Sequence, residues 1–494
     1  MKMKGYLTIF FAMTMSLILS LTMGLIEGAR YSALRLVITT VHQTAGNSIL
    51  GQYHRQLFER YGVLFFEITE LETKAVEFMN ENFKTDVLGE LLGVRDLLAI
   101  QTLSTQVEGM TLAIDGKGKV LRRQCVQCIE EKLGISYLQQ IVQTLNIVEE
   151  QGFGKQESNL EIGSRRWTKR ELEEQAQMSE LEGTLLPSTL SWLQKEALKF
   201  LVDGKSYSTA SLPNEERLSK RLAAMTEKDN TEFVDENTDW ESLLFLEYLF
   251  THTGNYRSPL DDGHLKYQME YILNGKDSDE TNLWETADKL LQFRTWINMV
   301  SILADEDRVA LLKEVSTSLA AALGNTEIEP VIYGVLLLIW GEVEGVYDVK
   351  RLLAGESVCL LKAEEDWLVK SSWLLGFATP LSQMEGEWKE VQKEGNTLLP
   401  LLLEENEERK SCDETKQSKK EIDLYYADYL RILMWFLDGE EIALRFMDIV
   451  ESDIRMVTGE SGFCLEHYAE RVWLKTKLSS DYSGEFWVQR EYGY

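Results

Sequence analysis

The chain has 494 residues, 44% of them apolar and 10% aromatic, enough for a sizeable hydrophobic core and too apolar for a disordered polypeptide. Its 81 acidic residues outweigh 51 basic ones, and the resulting net charge of −30 disfavours nucleic acid and anionic lipid headgroups as partners. Five cysteines are an odd number for a disulfide framework, and six prolines leave no Pro-rich tract.

The N-terminal segment carries the strongest signal. Lys2 and Lys4 lie in a short tip, residues 1–4, and no charged side chain follows until Glu27. The uncharged window Gly5–Ile26 makes a helix of about 33 Å, enough to cross a hydrocarbon core of about 30 Å. Thr8, Thr14, Ser16, Ser20 and Thr22 interrupt the apolar run, but hydroxyls can bond back to carbonyls of their own helix. The run is longer than the apolar region of a secretory signal, and bulky Ile26 spoils a cleavage site near Gly28, so a retained anchor is favoured over a cleaved leader. Lys2 and Lys4 before the span nearly balance Arg30 and Arg35 after it, tilting only slightly towards a cytoplasmic tip and an exported body.

Beyond the span, Leu34, Ile38, Val41, Ala45, Ile49, Tyr53, Leu57 and Tyr61 recur at helical spacing. They predict that the same helix continues as a stalk, residues 27–66, until Gly62 breaks it and "VLFF" forms a buried strand or apolar plug. Gly28, Ala29, Ser32 and Ala33 permit close helix packing. Residues 67–150 read as an α+β part: a helix over Leu71–Phe83, a β-like stretch near 100–115 with a turn at "DGKG", and helix from Val120 to Glu150. "EEQGFGKQESNLEIGSRR" reads as a linker and opens a variable linker and helical region, 151–235.

Residues 236–494 read as a mainly helical domain ending in a β-hairpin made of "ERVWLKTKL" and "EFWVQREYGY". Within it, Val331–Gly341 is too short an uncharged run to cross a bilayer and predicts a core helix. "LLEENEERKSCDETKQSKKEID" reads as a solvated, charge-dense loop. The expected fold class is therefore α+β and predominantly helical: one transmembrane helix continuing into a large extracytoplasmic body whose early and late strands share one sheet.

Catalytic signatures are wanting. "VDGKSYST" lacks the glycine that a phosphate-binding loop needs five residues before Gly204, where Lys199 stands. Cys125 and Cys128, with Cys464 and His467, spell C-x-x-C and C-x-x-H, ligands enough for zinc or a redox pair; the bland reading is structural thiols on one side of a helix. Asp261, Asp262, His264 and upstream His252 could hold a metal, but a turn with an Asp N-cap before a helix explains them as well. No catalytic, cofactor-binding or metal residue is assigned, no cofactor is expected, and the chain reads as a non-enzyme.

The opening "GYLTIFFAMTMSLILSLTMGLIEGARYSALR" resembles the N-terminal segment of TadE-like pseudopilins of the Tad (tight adherence, Flp) pilus system. There an apolar helix ends near a Glu-Gly-x-Arg exit, here Glu27, Gly28 and Arg30. Several later stretches, among them "YHRQLFERYGVLFFE", "YGVLLLIWGEVEGVYDVKRLLAGESVCLLK" and "YYADYLRILMWFLDGEEIALRFMDIVESDIR", resemble an uncharacterised bacterial membrane-protein family, a domain of unknown function associated with Tad/Flp-type pilus loci. The resemblance implies a single-pass, pseudopilin-like component of the cell membrane, its tip cytoplasmic and its acidic body extracytoplasmic, partnered by lipid and by other pilus or secretion-platform membrane proteins. "KG" before "YLTIF" resembles a prepilin processing site after Gly5, yet Phe10 stands where pilins carry a glutamate, which fits a low-copy assembly factor better than a major pilin. The alternative is a membrane-tethered cell-envelope binding protein or hydrolase unrelated to pili.

Overall fold

The computed structural model describes residues 4–84, 100–130, 135–152, 160–162, 165–202, 207–225, 239–378, 380, 423–480 and 484–494. The chain begins with α1 (Lys4–Leu50), α2 (Arg55–Tyr61), β1 (Phe66–Glu67), α3 (Leu71–Lys84), β2 (Ile100–Leu112) and α4 (Asp115–Glu130). There follow α5 (Ile135–Glu150), the small hairpin β3 (Leu160–Ile162) and β4 (Arg165–Trp167), α6 (Lys169–Gln175), α7 (Leu186–Val202), α8 (Leu218–Met225) and α9 (Asp239–His252). Next come α10 (Gln268–Asn274), α11 (Asp279–Leu303), α12 (Glu306–Leu323) and α13 (Glu329–Ala354), then β5 (Val358–Cys359) paired with β6 (Asp423–Leu424). The chain ends with α14 (Tyr426–Trp435), α15 (Gly439–Arg455), β7 (Tyr468–Ser480) and β8 (Gly484–Gly493). This is the predominantly helical α+β architecture the sequence predicts.

Two compact units emerge. One is built from residues 4–128 and 457–494, the other from 129–227 and 235–456. The C-terminal hairpin therefore belongs with the N-terminal residues and not with the helices of 236–456, where sequence order alone had put it.

In the first unit β7 is the middle strand. It pairs antiparallel with β2 on one side, and with β8 and the two residues of β1 on the other. Side chains along β7 alternate between buried and half-buried, as expected of a sheet covered on one face. The C-terminal half of α1 supplies that cover. Leu34 and Ile38 pack on Leu478, while Ile49 packs with Ala469, Val472, Leu474 and Tyr492. Val41 and Ala45 meet Met79 of α3.

The stalk departs from the sequence reading at one point. α1 ends at Leu50, the backbone turns through residues 51–54, and a separate α2 carries Leu57 and Tyr61. Long-range backbone pairing causes the break: Tyr53 bridges Phe66, and the His54 N–H donates to the Phe65 carbonyl at 2.8 Å. Both need extended backbone, which a continuous helix would not offer. The break folds "VLFF" back so that Val63, Phe65 and Phe66 are all buried. Gly62, at φ 67°, ends α2 as predicted, its N–H donating to Phe58 at 2.9 Å. The expected turn at "DGKG" is present as well, with Gly116, Lys117 and Gly118 all at positive φ ahead of the regular part of α4.

The second unit is organised around α13, whose residues from Val335 to Val349 are all buried. α11 lies against it at close range, because Gly341 and Gly345 present no side chain there. A Cβ on Gly341 would meet Met299 Cγ at 2.7 Å and the Thr295 carbonyl at 3.1 Å. The charge-dense stretch 402–422 and the "GKS" of 204–206 lie outside the described residues, as does most of the proposed linker.

Candidate functional site: an apolar helix and its seat

Among the described residues two helices are long and apolar enough to cross a membrane, and their surroundings separate them. The apolar window of α13 is 83% buried by protein, as the short uncharged run predicts for a core helix, whereas that of α1 is 0% buried. Tyr6, Leu7, Ile9, Phe10 and Phe11 are each exposed by more than half, and the pattern persists to Ile26. Within this segment Thr14 donates to the Phe10 carbonyl at 3.0 Å and Thr22 to Leu19 at 2.9 Å, so these hydroxyls are satisfied inside the helix. Glu27 and Arg30 pair at 3.2 Å at its exit. A sleeve of bare apolar side chains around one helix is compatible with a membrane anchor.

The seat that holds the other half of α1 is polar at its centre. His42 is 1% exposed and stacks on Tyr492 of β8. The Tyr492 hydroxyl donates to the His42 carbonyl at 2.8 Å. That uses its only proton, so His42 Nδ1 carries a hydrogen towards the same oxygen and Nε2 accepts from Thr476 Oγ1 at 3.2 Å. Thr476 in turn lies 3.2 Å from Thr105 Oγ1 on β2, so all three long strands join in fixing the helix. One turn on, Gly46 lets the Tyr492 ring lie against the helix backbone: a Cβ there would fall 2.0 Å from the ring. The Tyr494 hydroxyl donates to the Leu50 carbonyl at the end of α1. Burial, helped by the nearby Arg490, lowers the His42 pKa to about 4, so its ring is neutral at physiological pH.

The sequence-predicted ligand candidates do not converge. Cys125 is buried and Cys128 lies against Gly62, no disulfide joins the described cysteines, and Cys464 Sγ donates to Glu466 Oε2 at 3.2 Å. His252 Nδ1 donates to the Tyr248 carbonyl at 2.9 Å and His264 Nε2 to the Ser211 carbonyl at 2.9 Å. Asp261 and Asp262 do not cap the following helix, because Tyr267 precedes α10 and makes no side-chain cap. The loop amides are satisfied from a distance instead. Asp453 accepts from His264 N at 2.7 Å, and Asp279 accepts from Lys266 N at 2.9 Å. Among the described residues no group of three or more His, Cys, Asp or Glu is placed to hold a metal.

Sequence reasoning missed the buried charges of the second unit. Arg294 of α11 is wholly buried and donates to Asp348 Oδ2 at 2.9 Å, Asn298 Oδ1 at 3.1 Å, the Tyr429 hydroxyl at 3.0 Å, and the carbonyls of Cys359 and Leu360. Lys362 pairs with Glu344 and, at 2.6 Å, with Asp348. Glu344 also accepts the N–H groups of Leu368 and Val369 at 3.0 and 2.8 Å. Burial alone would raise the Asp348 pKa, but Arg294 and Lys362 outweigh it and hold the carboxylate below its usual range. On α15, Asp448, Glu451 and Asp453 are equally buried. They accept from Ser219 and Tyr271, from Arg221, and from Gln268 respectively. Every one of these groups is engaged in joining helices. The only advance signal was acidic residues inside the otherwise apolar run of α13.

Neither a curated protein nor a solved structure matches this chain. Residues 175–480, which take in most of the second unit and β7, match a family described as Family of unknown function (DUF5702). The match spans more than half of the sequence, and the chain belongs to that family.

Proposed function

We propose that this protein is a membrane-anchored, non-enzymatic, pseudopilin-like structural or assembly component of a Tad/Flp-type pilus or secretion apparatus, with its body outside the cytoplasmic membrane. The observation that carries the reading is the division of α1. Its first half is an uncovered apolar rod, and its second half is locked onto an antiparallel sheet. A subunit so built can dock by helix–helix contact in lipid while a rigid joint transmits force to the head. Gly24 and Gly28 support it, since a Cβ on either meets nothing within 4 Å and another helix could approach closely. The acidic surface and the buried, mutually engaged carboxylates fit a solvated structural body better than a catalytic one.

The test replaces Gly5–Ile26 by a polyleucine span of the same length in the full chain. The tether is kept and the specific helix surface is lost. Loss of surface pili or secretion with normal membrane levels of the variant is expected. Full activity of the polyleucine chain would reduce the helix to a tether and favour an envelope-binding protein or hydrolase.

A further inference from the structure

The two long edges of the sheet in the first unit are treated differently by the sequence. Along β2 the ladder with β7 shifts register between Thr102 and Ser104, between Val107 and Gly109, and between Thr111 and Leu112. α3 also caps that edge: Glu72 accepts the Val107 N–H at 2.9 Å and Asn80 the Thr102 N–H at 3.4 Å. Bulges and side-chain caps are the usual guards against unwanted strand pairing.

β8 has neither. Its pairing with β7 runs unbroken from Arg471↔Gly493 to Ser480↔Gly484. In an antiparallel ladder alternate residues aim their N–H and C=O groups away from the partner strand. Among the described residues nothing pairs with those outward groups of β8. The strand contains no proline and no lysine to discourage addition. On its helix side Phe486 and Val488 are half-buried beside Leu34 and Ile38 of α1. On the opposite side the exposed charged residues are Glu485 and Glu491, at either end of the strand.

We propose that the β8 edge is a strand-addition site for an extended segment of a different polypeptide, apolar on the face beside Phe486 and Val488 and carrying Lys or Arg on the face beside Glu485 and Glu491. Added main-chain hydrogen bonds supply affinity, while the apolar and basic faces supply register and selection. A second copy is a poor occupant, an argument that rests on reading α1 as a membrane anchor. α1 runs alongside β8 in the same direction, Ile38 near Phe486 and Ile49 near Tyr492. Two β8 edges pair antiparallel about a twofold axis normal to the sheet, which reverses one α1 against the other. The two apolar rods would then leave at opposite ends and could not enter one bilayer.

The test is amide hydrogen exchange on the full chain in detergent micelles, with a synthetic ten-residue peptide of alternating valine and lysine as the probe. Alternate amides between Glu485 and Glu491 are expected to exchange freely without peptide and to slow at least about fivefold with it, those of β2 staying unchanged. The double variant E485K/E491K is expected to lose that protection and to gain it from a valine–glutamate peptide. No slowing at β8 with either peptide would overturn the proposal. Slowing that follows protein concentration without peptide would overturn the choice of partner in favour of a second copy. Because the measurement needs no bilayer, a chain that gains protection yet fails to insert into vesicles would refute the anchor reading alone.

Discussion

Glu270 and His42 are buried titrating side chains with opposite consequences for stability. Glu270 accepts from Tyr256 N at 2.8 Å and from the Tyr426 hydroxyl at 2.7 Å, yet burial still raises its pKa to about 7. The folded chain therefore holds this proton more tightly than the unfolded chain does. Stability falls as pH rises from the unfolded value near 4.5 to about 7, by about 3 kcal/mol. Denaturant titrations across that range are expected to show the slope in the native chain and a flatter response in E270Q. His42 works the other way. Its folded pKa lies below the unfolded 6.5, so its contribution is complete above pH 6.5 and is lost as pH falls towards 4. Exchange of the Ile38–Gly46 amides is expected to accelerate over that interval, and H42Q is expected to remove the acceleration. Arg294 is the third case. Removing it leaves Asp348 buried beside Lys362 alone, and R294M is expected to cost about 3–5 kcal/mol in unfolding free energy, with D348N/R294M recovering part of the loss. Little of this was legible in the sequence. With 81 acidic residues, nothing local distinguishes Glu270 or Asp453 from a surface carboxylate, because their burial is decided by helices far away in the chain.

Among the elements, α1 was the most legible and the least completely read. The spacing of Leu34, Ile38, Val41, Ala45 and Ile49 identified its buried face, because a helix must repeat every three or four residues to keep one side on a sheet. The spacing also continued through Leu57 and Tyr61, and hid the break at residues 51–54. Periodicity records which side chains are buried, not whether the backbone between them is continuous, and pairing with Phe65 and Phe66 is a tertiary event. Gly46 marks where α1 and β8 approach most closely. G46A is expected to destabilise the first unit by about 1–3 kcal/mol through overpacking against Tyr492, read as a lower thermal midpoint. The same reasoning applies to G341A at the α11–α13 contact, where Met299 must move. The turn before α10 was misread for the converse reason: an Asp beside a helix start is the common cap, but here Asp279 and Asp453 satisfy the loop from other helices.

For the whole molecule, the decisive feature is that both ends of the chain build one sheet on one helix. Alternating aromatic and β-branched residues disclosed the late strands. Their grouping with residues 4–128 could be surmised from strands at both ends, but the register that proves it, β2 against β7, is a contact across more than 350 residues. The central claim is that the exposed half of α1 lies in a bilayer and carries the rest of the chain. Its most direct test is vesicle flotation after alkaline carbonate extraction, comparing the full chain with the double variant L17R/L21R. Each arginine costs about 2.5–3.5 kcal/mol in the middle of a membrane-spanning helix. The account predicts that the full chain floats with lipid and resists extraction, and that the variant is released while its head keeps the same thermal midpoint. A full chain that stays in the aqueous fraction, or a variant that floats equally well, would contradict it.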